Sequence, residues 1–440
     1  MCFTAGDIDA DGDLDVWLAQ YKNPYGDGSF PTPFYDANDG HPSYLLLNRG
    51  DGVFDDVTEA AGLAAKRYRR TFAASFVDLD EDHDLDLLVS SDFAGTDIYI
   101  NDGTGHFTDK TKAVLEESAN FGMAHTFADY NQDGALDFYV IGMASTTMRR
   151  LNQMGLIRAD RPEYLEMRSR LGYGNRMYLA NGKRTFRQPE FRDSVARSGW
   201  SWGSTSFDFD SDGDMDLYIA NGHVSGETTK DYCTRFWCHD IYTFGSQTSP
   251  SVIAGLTAKT VFRAIIGAGI SWDGYQKNHL FMNRSGEDFV NVAFLMNAAL
   301  GDDARSVISD DFNGDGRPDL LVTSVYKEWV NNRTYGTLHL LINRWPIQNN
   351  WIGVRLQIEP GSPSSIGAVI RVRSNSGEQL AHIVTGDSHR AQHAPMKHFG
   401  LDSDTGVDSI EVRWPDGTIE VMKDPAINTY HAVSSSTAQL

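Results

Sequence analysis

The sequence predicts an all-β fold built from one repeated strand–loop–strand unit and followed by a smaller β domain. Three observations support this prediction: an aspartate-rich pattern occurs five times, short apolar runs flank each copy, and 41 glycines provide many tight turns. Hydrophobic residues make up 41% of the 440 residues, which is enough to bury a core in each of two domains. Units of three or four strands joined by tight turns are typical of β-propeller blades.

The repeated pattern is D-x-[DN]-x-D-[GH]-x-x-D, and we number its residues as loop positions 1 to 9. Acids, or asparagine at position 3, occupy positions 1, 3, 5 and 9 in every copy. Loops 1 to 5 begin at Asp7, Asp78, Asp129, Asp208 and Asp311. The equal offsets are not explained by ordinary turn formation, which would account for one such loop but not for five.

Each loop lies between apolar runs that we predict to be strands. The run LDLLVS at 85–90 follows loop 2, and a later strand of the same unit, IYINDG at 98–103, ends in asparagine and glycine. At roughly 50 residues per blade, the region 1–345 would hold six or seven blades. We favour seven, with a first blade that is truncated.

Two insertions interrupt the repeats, near 143–175 and 222–276. Within the first, 148–171 has the apolar spacing of a helix. Residues 346–440 are predicted to form the second domain, with strands at 351–358, 366–374, 379–385, 408–414 and 418–422. This boundary leaves 1–345 for the propeller.

The loops have the composition of calcium sites. Calcium takes about six to eight oxygen ligands with flexible geometry. Positions 1, 3, 5 and 9 offer side-chain oxygens, whereas position 7 offers its backbone carbonyl, so its side chain is free to vary. The predicted ligands are Asp7, Asp9, Asp11, Asp13 and Asp15 in loop 1, Asp78, Asp80, Asp82, Asp84 and Asp86 in loop 2, Asp129, Asn131, Asp133, Ala135 and Asp137 in loop 3, Asp208, Asp210, Asp212, Asp214 and Asp216 in loop 4, and Asp311, Asn313, Asp315, Arg317 and Asp319 in loop 5.

Calcium binding would also account for the acidity of the chain. Five Ca²⁺ ions, one for each loop, would add ten charges and bring the formal charge from -22 to -12. Position 6 requires a positive φ, which glycine adopts without steric cost. His83 occupies position 6 of loop 2, and we expect strain there because histidine tolerates this backbone conformation less well than glycine.

These residues resemble two known families. The loops resemble the FG-GAP or VCBS repeats of integrin-like propellers. The second domain resembles the ASPIC/UnbV domain through Gly367-Ala368, Gly386-Asp387-Ser388, Gln392, His398-Phe399-Gly400-Leu401 and Trp414-Pro415-Asp416-Gly417. Together they resemble the cartilage acidic protein family and its bacterial relatives. This resemblance implies a secreted, calcium-binding, seven-bladed propeller with little assigned chemistry. The chain departs from that pattern in its incomplete first blade and in Ser388-His389-Arg390, which stands where an aromatic is usual.

The second insertion holds the densest unusual segment, 231–242. We predict a disulfide between Cys233 and Cys238, because a secreted chain oxidises neighbouring thiols. Trp237, His239 and Asp240 form a candidate ligand face. The alternative, which we favour, is a disulfide-stapled aromatic lid over the propeller channel.

Several isolated residues are better explained by packing than by function. They are Trp200 and Trp202 before loop 4, His125 before loop 3, and the histidines of the second domain, His382, His389, His393 and His398. The spacing of these four histidines fits no helix-borne metal pair.

Two classes of function remain open. The first is a binding or cell-adhesion module that presents loops to a protein or glycan. The second is an enzyme of carbohydrate or natural-product metabolism that uses the insertion loops over the propeller axis. The sequence has no nucleophile elbow, phosphate loop or zinc-protease motif, so no catalytic residue and no organic cofactor is assigned, and we favour the binding module.

Charge and calcium affinity bear on partners and location. A chain of formal charge -22 repels phosphate backbones, which argues against a nucleic acid partner, and no apolar run is long enough to span a membrane. Calcium loops of modest affinity predict a secreted, periplasmic or cell-surface protein. Because residues 1–7 lack signal-peptide features and lead directly into loop 1, we expect the natural N-terminus to lie upstream.

Overall fold

The structure, a computed structural model, describes the chain except for residues 23–30, 32–33, 51, 158–160, 183, 238–268, 329–332, 347–348, 359–363 and 436–440. It is an all-β protein of small, mostly antiparallel sheets, which confirms the predicted fold class. Within the described ranges, no helix is both long and apolar enough to cross a membrane.

Five sheets, called repeat sheets 1 to 5, contain the acid-rich loops. Sheet 1 has β1 Cys2–Gly6, β2 Asp15–Ala19, β3 Tyr44–Asn48 and β4 Phe54–Asp56. Sheet 2 has β5 Arg70–Val77, β6 Asp86–Asp92, β7 Gly95–Asn101 and β8 Phe107–Asp109. Sheet 3 has β9 Ala124–Ala128, β10 Asp137–Ile141, β11 Arg176–Ala180 and β12 Phe186–Arg187.

Sheets 4 and 5 follow the same order, with an insertion inside sheet 4. Sheet 4 has β13 Ser201–Phe207, β14 Asp216–Asn221, β17 His279–Asn283 and β18 Phe289–Asn291. The insertion adds the parallel pair β15 Thr228–Asp231 and β16 Ile270–Ser271. Sheet 5 has β19 Asp303–Asp310, β20 Asp319–Glu328 and β21 Arg333–Leu341.

Each repeat sheet is an antiparallel meander, the blade architecture of a propeller. Sheet 1 has all four strands, so the truncation expected for the first blade is not seen. The total number of blades, predicted to be six or seven, stays a prediction.

Within the part of the chain that the structure describes, the helices are few and short, and they lie in connections. They are α1 Thr111–Val114, α2 Thr146–Gln153, α3 Tyr164–Leu171, α4 Arg192–Ala196 and α5 Cys233–Phe236, with one 3₁₀ turn at Ala64–Lys66. The helical character predicted for 148–171 is confirmed in α2 and α3, but the described residues between these two helices are not helical. Ser145 caps α2 by accepting a hydrogen bond from the Met148 N–H.

The second domain consists of two sheets with an apolar core between them. One sheet orders its strands β25–β22–β28, with β22 Asn350–Gln357, β25 Met396–Asp402 and β28 Tyr430–Ser434. The other orders them β24–β23–β26–β27, with β23 Val369–Ser374, β24 Gly377–His382, β26 Val407–Arg413 and β27 Ile419–Lys423. The expected boundary at 345/346 falls between β21 and β22, and the division into two domains stays a prediction.

The first strands of neighbouring repeat sheets lie side by side and form the inner wall of the repeat region. Short polar side chains on these strands connect one sheet to the next. The connecting hydrogen bonds are Phe76 N–H to Thr4 Oγ1 at 3.3 Å, Ser75 Oγ with His125 Nε2 at 2.8 Å, Thr126 Oγ1 to Ser206 Oγ at 3.3 Å, and Thr205 Oγ1 with Ser309 Oγ at 2.8 Å.

A segment of the second domain, residues 385–393, occupies the space inside this wall, and we call it the axial segment. Thr385 Oγ1 lies 2.7 Å from Thr4 Oγ1 of sheet 1, and the carbonyl of Thr385 accepts a hydrogen bond from Ser75 Oγ of sheet 2 at 2.7 Å. The Ser388 N–H donates to the His125 carbonyl of sheet 3 at 2.9 Å. Ser388 Oγ donates to the Val307 carbonyl of sheet 5, also at 2.9 Å.

The axial segment also contacts sheet 4, through His393 and His389. His393 Nε2 lies 2.9 Å from Thr205 Oγ1, and the buried His389 ring packs edge-on against Phe72 and Trp202, with centroids 5.6 and 5.2 Å away. All five repeat sheets therefore contact this one segment, which lies against their first strands.

The largest core cluster combines strand residues of the repeat sheets with residues of their connecting segments and of the described part of the second insertion. Aromatic rings from distant parts of the chain meet there. Ring centroids are 5.1 Å apart for Phe34 and Phe93, 5.2 Å for Phe93 and Phe121, and 6.0 Å for Phe121 and Trp237. The described part of the insertion therefore contributes residues to the core.

Candidate metal centres

Each acid-rich loop joins the first strand of a repeat sheet to its second strand. Position 9 is the first residue of the second strand in every sheet, at Asp15, Asp86, Asp137, Asp216 and Asp319. The five loops therefore occupy equivalent places, as the sequence pattern predicted.

Hydrogen bonds within the loops hold the carboxylates in fixed orientations. In loop 3, the two carboxylate oxygens of Asp129 accept the N–H groups of Asp133 at 3.1 Å and Gly134 at 2.8 Å. Asp137 Oδ2 accepts the Tyr130 N–H at 3.0 Å. The bond from the position 6 N–H to position 1 recurs in all five loops, as does the bond from the position 2 N–H to position 9.

Position 3 has buried side-chain oxygens that no other described residue satisfies. The Oδ1 atoms of Asp9, Asp80, Asn131 and Asp210 are buried and accept no hydrogen bond from any described residue. A buried polar atom without a partner costs about 1–3 kcal/mol. In loops 1, 2 and 4, one oxygen each from positions 1, 3 and 9 lie within 4.8 Å of one another. These oxygen-only donor sets fit a hard divalent cation such as Ca²⁺.

Burial changes the acidity of the same carboxyl groups. It raises the pKa of Asp86 and of Asp137 to about 8, and the pKa of Asp15 to about 6. In loop 4, burial and then the neighbouring loop acids raise the pKa of Asp216 well above its usual range. A bound divalent cation would favour the ionised forms and offset this cost.

Loops 3 and 5 differ from the others because asparagine replaces aspartate at position 3. Asn131 Nδ2 donates to Asp133 Oδ2 at 2.9 Å, and Asn313 Nδ2 donates to Asp315 Oδ2 at 3.1 Å. In loop 5 the guanidinium of Arg317 also pairs with the Asp315 carboxylate. The carboxylates of loop 5 are therefore already paired to the greatest extent, and a bound cation would stabilise this loop the least.

The backbone at position 6 agrees with the sequence interpretation. The φ angles are 93° at Gly12, 79° at His83, 83° at Gly134, 94° at Gly213 and 85° at Gly316. His83 therefore adopts the left-handed conformation for which the sequence predicts strain. Position 4 is also left-handed in every loop, at Ala10, Glu81, Gln132, Ser211 and Gly314, although the sequence pattern does not indicate this.

A second feature missed from the sequence is an asparagine at the end of the third strand. Asn283 Nδ2 donates to the Met215 carbonyl of its own sheet at 3.1 Å and to the Tyr130 carbonyl of loop 3 at 2.9 Å. Equivalent amides reach from one sheet to the loop of the sheet before it, from Asn101 to the Ile8 carbonyl and from Asn343 to the Phe209 carbonyl. These asparagines tie the loops together.

The candidate ligand face in the second insertion is not supported at Trp237. Its side chain is fully buried, and the indole N–H donates to Ser145 Oγ at 2.9 Å. Trp237 packs in the core because the surrounding connections are aromatic. Its two companions in that face, His239 and Asp240, lie outside the described residues.

The thiol of Cys233 is buried and lies 3.3 Å from Ser145 Oγ. Burial raises its pKa to about 12, so the thiol is protonated at neutral pH. Asp231 and Asp273 bring two carboxylates near it, within 4.8 Å between donor atoms. Since Cys238 lies outside the described residues, the disulfide stays a prediction.

The residues expected to be structural are packed. The rings of Trp200 and Trp202 stack at 5.9 Å, and His125 is buried between Ser75 and Ser90. Among the histidines of the second domain, His398 bonds to the Gly316 carbonyl of loop 5 at 3.0 Å. None of the four joins a metal-ligating cluster within the described part of the chain.

Comparison with known proteins gives matches to both halves of the chain. A family model for FG-GAP-like repeats matches residues 7–89 and 78–140, and one for ASPIC and UnbV matches 359–440. Cartilage acidic protein 1 of Xenopus tropicalis is 30% identical over 109 residues, which cover 25% of this chain and 16% of that protein. The human protein of the same name is 30% identical over 107 residues, 24% of this chain and 15% of its own length. The match thus spans less than a fifth of either relative.

Proposed function

Because the chain combines FG-GAP-like repeats with a C-terminal ASPIC/UnbV domain, we propose that it is a secreted, calcium-stabilised binding module for a protein or glycan. Both domain types suggest binding or adhesion. Loop-rich propeller faces provide the large, rigid surfaces that such binding uses. Calcium has a structural role in this proposal, since the ions hold the strand-to-strand turns in place.

The observation that carries the proposal is the buried, unpartnered Oδ1 at position 3 in four of the five loops, within the described part of the chain. The same atom is left without a partner in each, although the loops differ in sequence. A cation at the centre of each loop would satisfy it together with the carboxylates of positions 1 and 9. The repeats therefore support calcium as a common structural ion.

The expected calcium affinity of the loops also supports the proposed location outside the cytosol. Extracellular calcium modules bind with Kd values of about 0.1–1 mM, so loops of this kind fill where calcium is abundant. In a calcium-poor cytosol the clustered carboxylates would remain unneutralised. Export to the periplasm, cell surface or medium follows from this argument.

An enzyme that uses the second insertion is the less favoured candidate. Among the described residues of that insertion, Tyr232, Phe236 and Trp237 are buried in the core. The axial segment fills the space where a propeller would hold a substrate on its axis. A binding surface on the outside of the molecule agrees better with this packing.

Thermal melting with and without EGTA tests the calcium proposal. A ligand at about 100 times its Kd stabilises a protein by about 2.7 kcal/mol for each site. We therefore expect chelation to lower the melting temperature by at least about 5 °C. Excess calcium should restore it, whereas the same concentration of sodium should not. A melting temperature that EGTA leaves unchanged would refute the proposal.

A further inference from the structure

A cavity of about 400 Å³ lies between loop 2, the hairpin of sheet 3 and the second domain. This size lies within the range of small-molecule sites, which is about 300–1,000 Å³. One wall is a single face of the four-stranded sheet, because Val369 pairs with His382 and Arg413 across the neighbouring strands. The cavity is therefore built by both domains.

Three arginines line this cavity in a chain whose formal charge is -22. The guanidinium of Arg413 makes no ion pair or hydrogen bond with any described residue. Arg371 shares Glu378 with Arg373, at 2.8 and 2.5 Å. Arg184, from the sheet 3 hairpin, lies 3.0 Å from Asp80 Oδ2 and 3.8 Å from Asp82 Oδ2. Planar guanidinium groups bind carboxylates in bidentate fashion, so this cluster favours an anionic ligand.

The acids of the cavity are largely engaged elsewhere. Asp78 and Asp80 are proposed calcium ligands of loop 2, and Glu411 pairs with Arg373 at 3.2 Å. Glu81 is the remaining acid, and it is exposed. Burial, then the charges of Arg371 and Lys397, lower the pKa of His382 to about 3, so this ring adds no charge of its own. Calcium in loop 2 would offset two of the five aspartate charges of that loop, and Arg413 is the lining arginine that has no carboxylate partner among the described residues.

The rest of the lining suits a sugar ring. Val369, Leu380 and Phe186 offer apolar surface, whereas Thr185 offers a hydroxyl that can hydrogen-bond the hydroxyls of a sugar. Sites for small ligands combine such apolar surface with a few polar groups that fix orientation.

We propose that this cavity binds a uronic acid, a sugar whose carboxylate pairs with Arg413 and Arg371. The inference rests on the proposed calcium site in loop 2 and names a ligand class for the proposed binding module. Calcium strengthens the binding, because the ion in loop 2 reduces the negative charge that faces the ligand carboxylate.

Calorimetric titration of the calcium-loaded protein with glucuronate tests the proposal. We expect saturable binding of glucuronate, no binding of glucose at the same concentration, and weaker binding of glucuronate after EGTA. Arg413→Gln should weaken it about tenfold or more, because the ligand carboxylate loses a charged donor pair. The matched control is Arg187→Gln, since Arg187 is exposed and does not line the cavity.

The outcomes separate this inference from the proposed function. Absence of glucuronate binding, in a protein whose melting still depends on calcium, overturns the uronic acid site alone. Equal weakening by Arg413→Gln and Arg187→Gln overturns it as well, as does equally tight binding of inorganic sulfate, which would make the cavity a general anion site. A melting temperature that does not change when EGTA is added overturns the proposed function itself.

Discussion

At the scale of single residues, position 3 of the loops offers a reciprocal pair of substitutions. Asp210 in loop 4 and Asn131 in loop 3 both have a buried Oδ1 without a partner among the described residues. We expect Asp210→Asn to weaken one calcium site by about tenfold and Asn131→Asp to strengthen one, because each changes the charge beside a divalent cation. Calorimetric titration with calcium measures both.

Asp408→Asn is the control for this pair, because it removes the same charge from an exposed residue of β26, outside the loops. It should leave every calcium site unchanged. Weaker binding in Asn131→Asp, or unchanged binding in Asp210→Asn, would contradict the assignment of position 3 as a ligand.

Position 6 gives a second residue-scale prediction, which concerns the backbone. Gly134 has φ of 83°, and an added Cβ would meet no atom within 4 Å. Gly134→Ala should therefore cost only backbone strain, about 1–2 kcal/mol of unfolding free energy. Urea unfolding in saturating calcium measures it. Gly406→Ala, also without neighbours but outside the left-handed region, should cost nothing, and an equal cost for both would argue against the strain.

At the scale of elements, the amides of Asn101, Asn283 and Asn343, near the ends of third strands, each join a loop to a neighbouring sheet. Asn283 is buried, and its side-chain amide donates hydrogen bonds to the Tyr130 and Met215 carbonyls. We expect Asn283→Ala to lower the unfolding free energy by about 2–3 kcal/mol, because two buried carbonyls lose their donor. Chemical denaturation checks this value. Asn181→Ala is the matched control, and a similar loss there would contradict the bridging role.

Asn181 shows how far the sequence could predict these contacts. The segment MYLANG of sheet 3 has its asparagine one residue later than the structural equivalent, and the N–H of Ala180 makes the bond to Asp137 Oδ1 at 2.7 Å. The loops themselves were predictable, since their oxygens must recur at fixed offsets. The bridging amides were not, because their acceptors lie on another sheet.

The strands of the second domain show a similar limit. Five were predicted and their counterparts are present, but β25 and β28 were missed. In β25 the buried residues Phe399, Gly400 and Leu401 are consecutive, so the alternation that marks a half-buried strand is absent. β28 pairs in parallel with β22, which lies more than 70 residues earlier in the chain. No local turn in the sequence indicates such a pairing.

At the scale of the whole molecule, the axial segment is the feature that the sequence did not indicate. Its residues are mostly short and polar, without periodicity, and their role depends on five sheets that meet around them. The sequence marks Ser388, His389 and Arg390 only as a departure from a family pattern. In the structure, Ser388 and His389 are buried contacts between the two domains.

A glycine pair tests the contribution of the axial segment to stability. Gly386 and Gly417 have nearly the same φ, 80° and 81°, but a Cβ at Gly386 would lie 1.9 Å from the Ala74 carbonyl, whereas at Gly417 it meets nothing within 4 Å. We expect Gly386→Ala to lower the melting temperature clearly more than Gly417→Ala, and to expose the second domain to proteases. Equal effects would mean that the axial contact contributes little.

The contact between Thr4 and Thr385 spans 381 residues of sequence. Pairings of such high sequence separation close slowly, because the chain must lose much conformational entropy before they form. A ribosome adds about 5–20 residues per second, so the repeat sheets emerge well before the segment that fills their axis. During that interval the inner strands expose to water the polar groups that the axial segment later contacts. The inner strands of the repeat sheets therefore reach their final contacts only after residue 385 has been made.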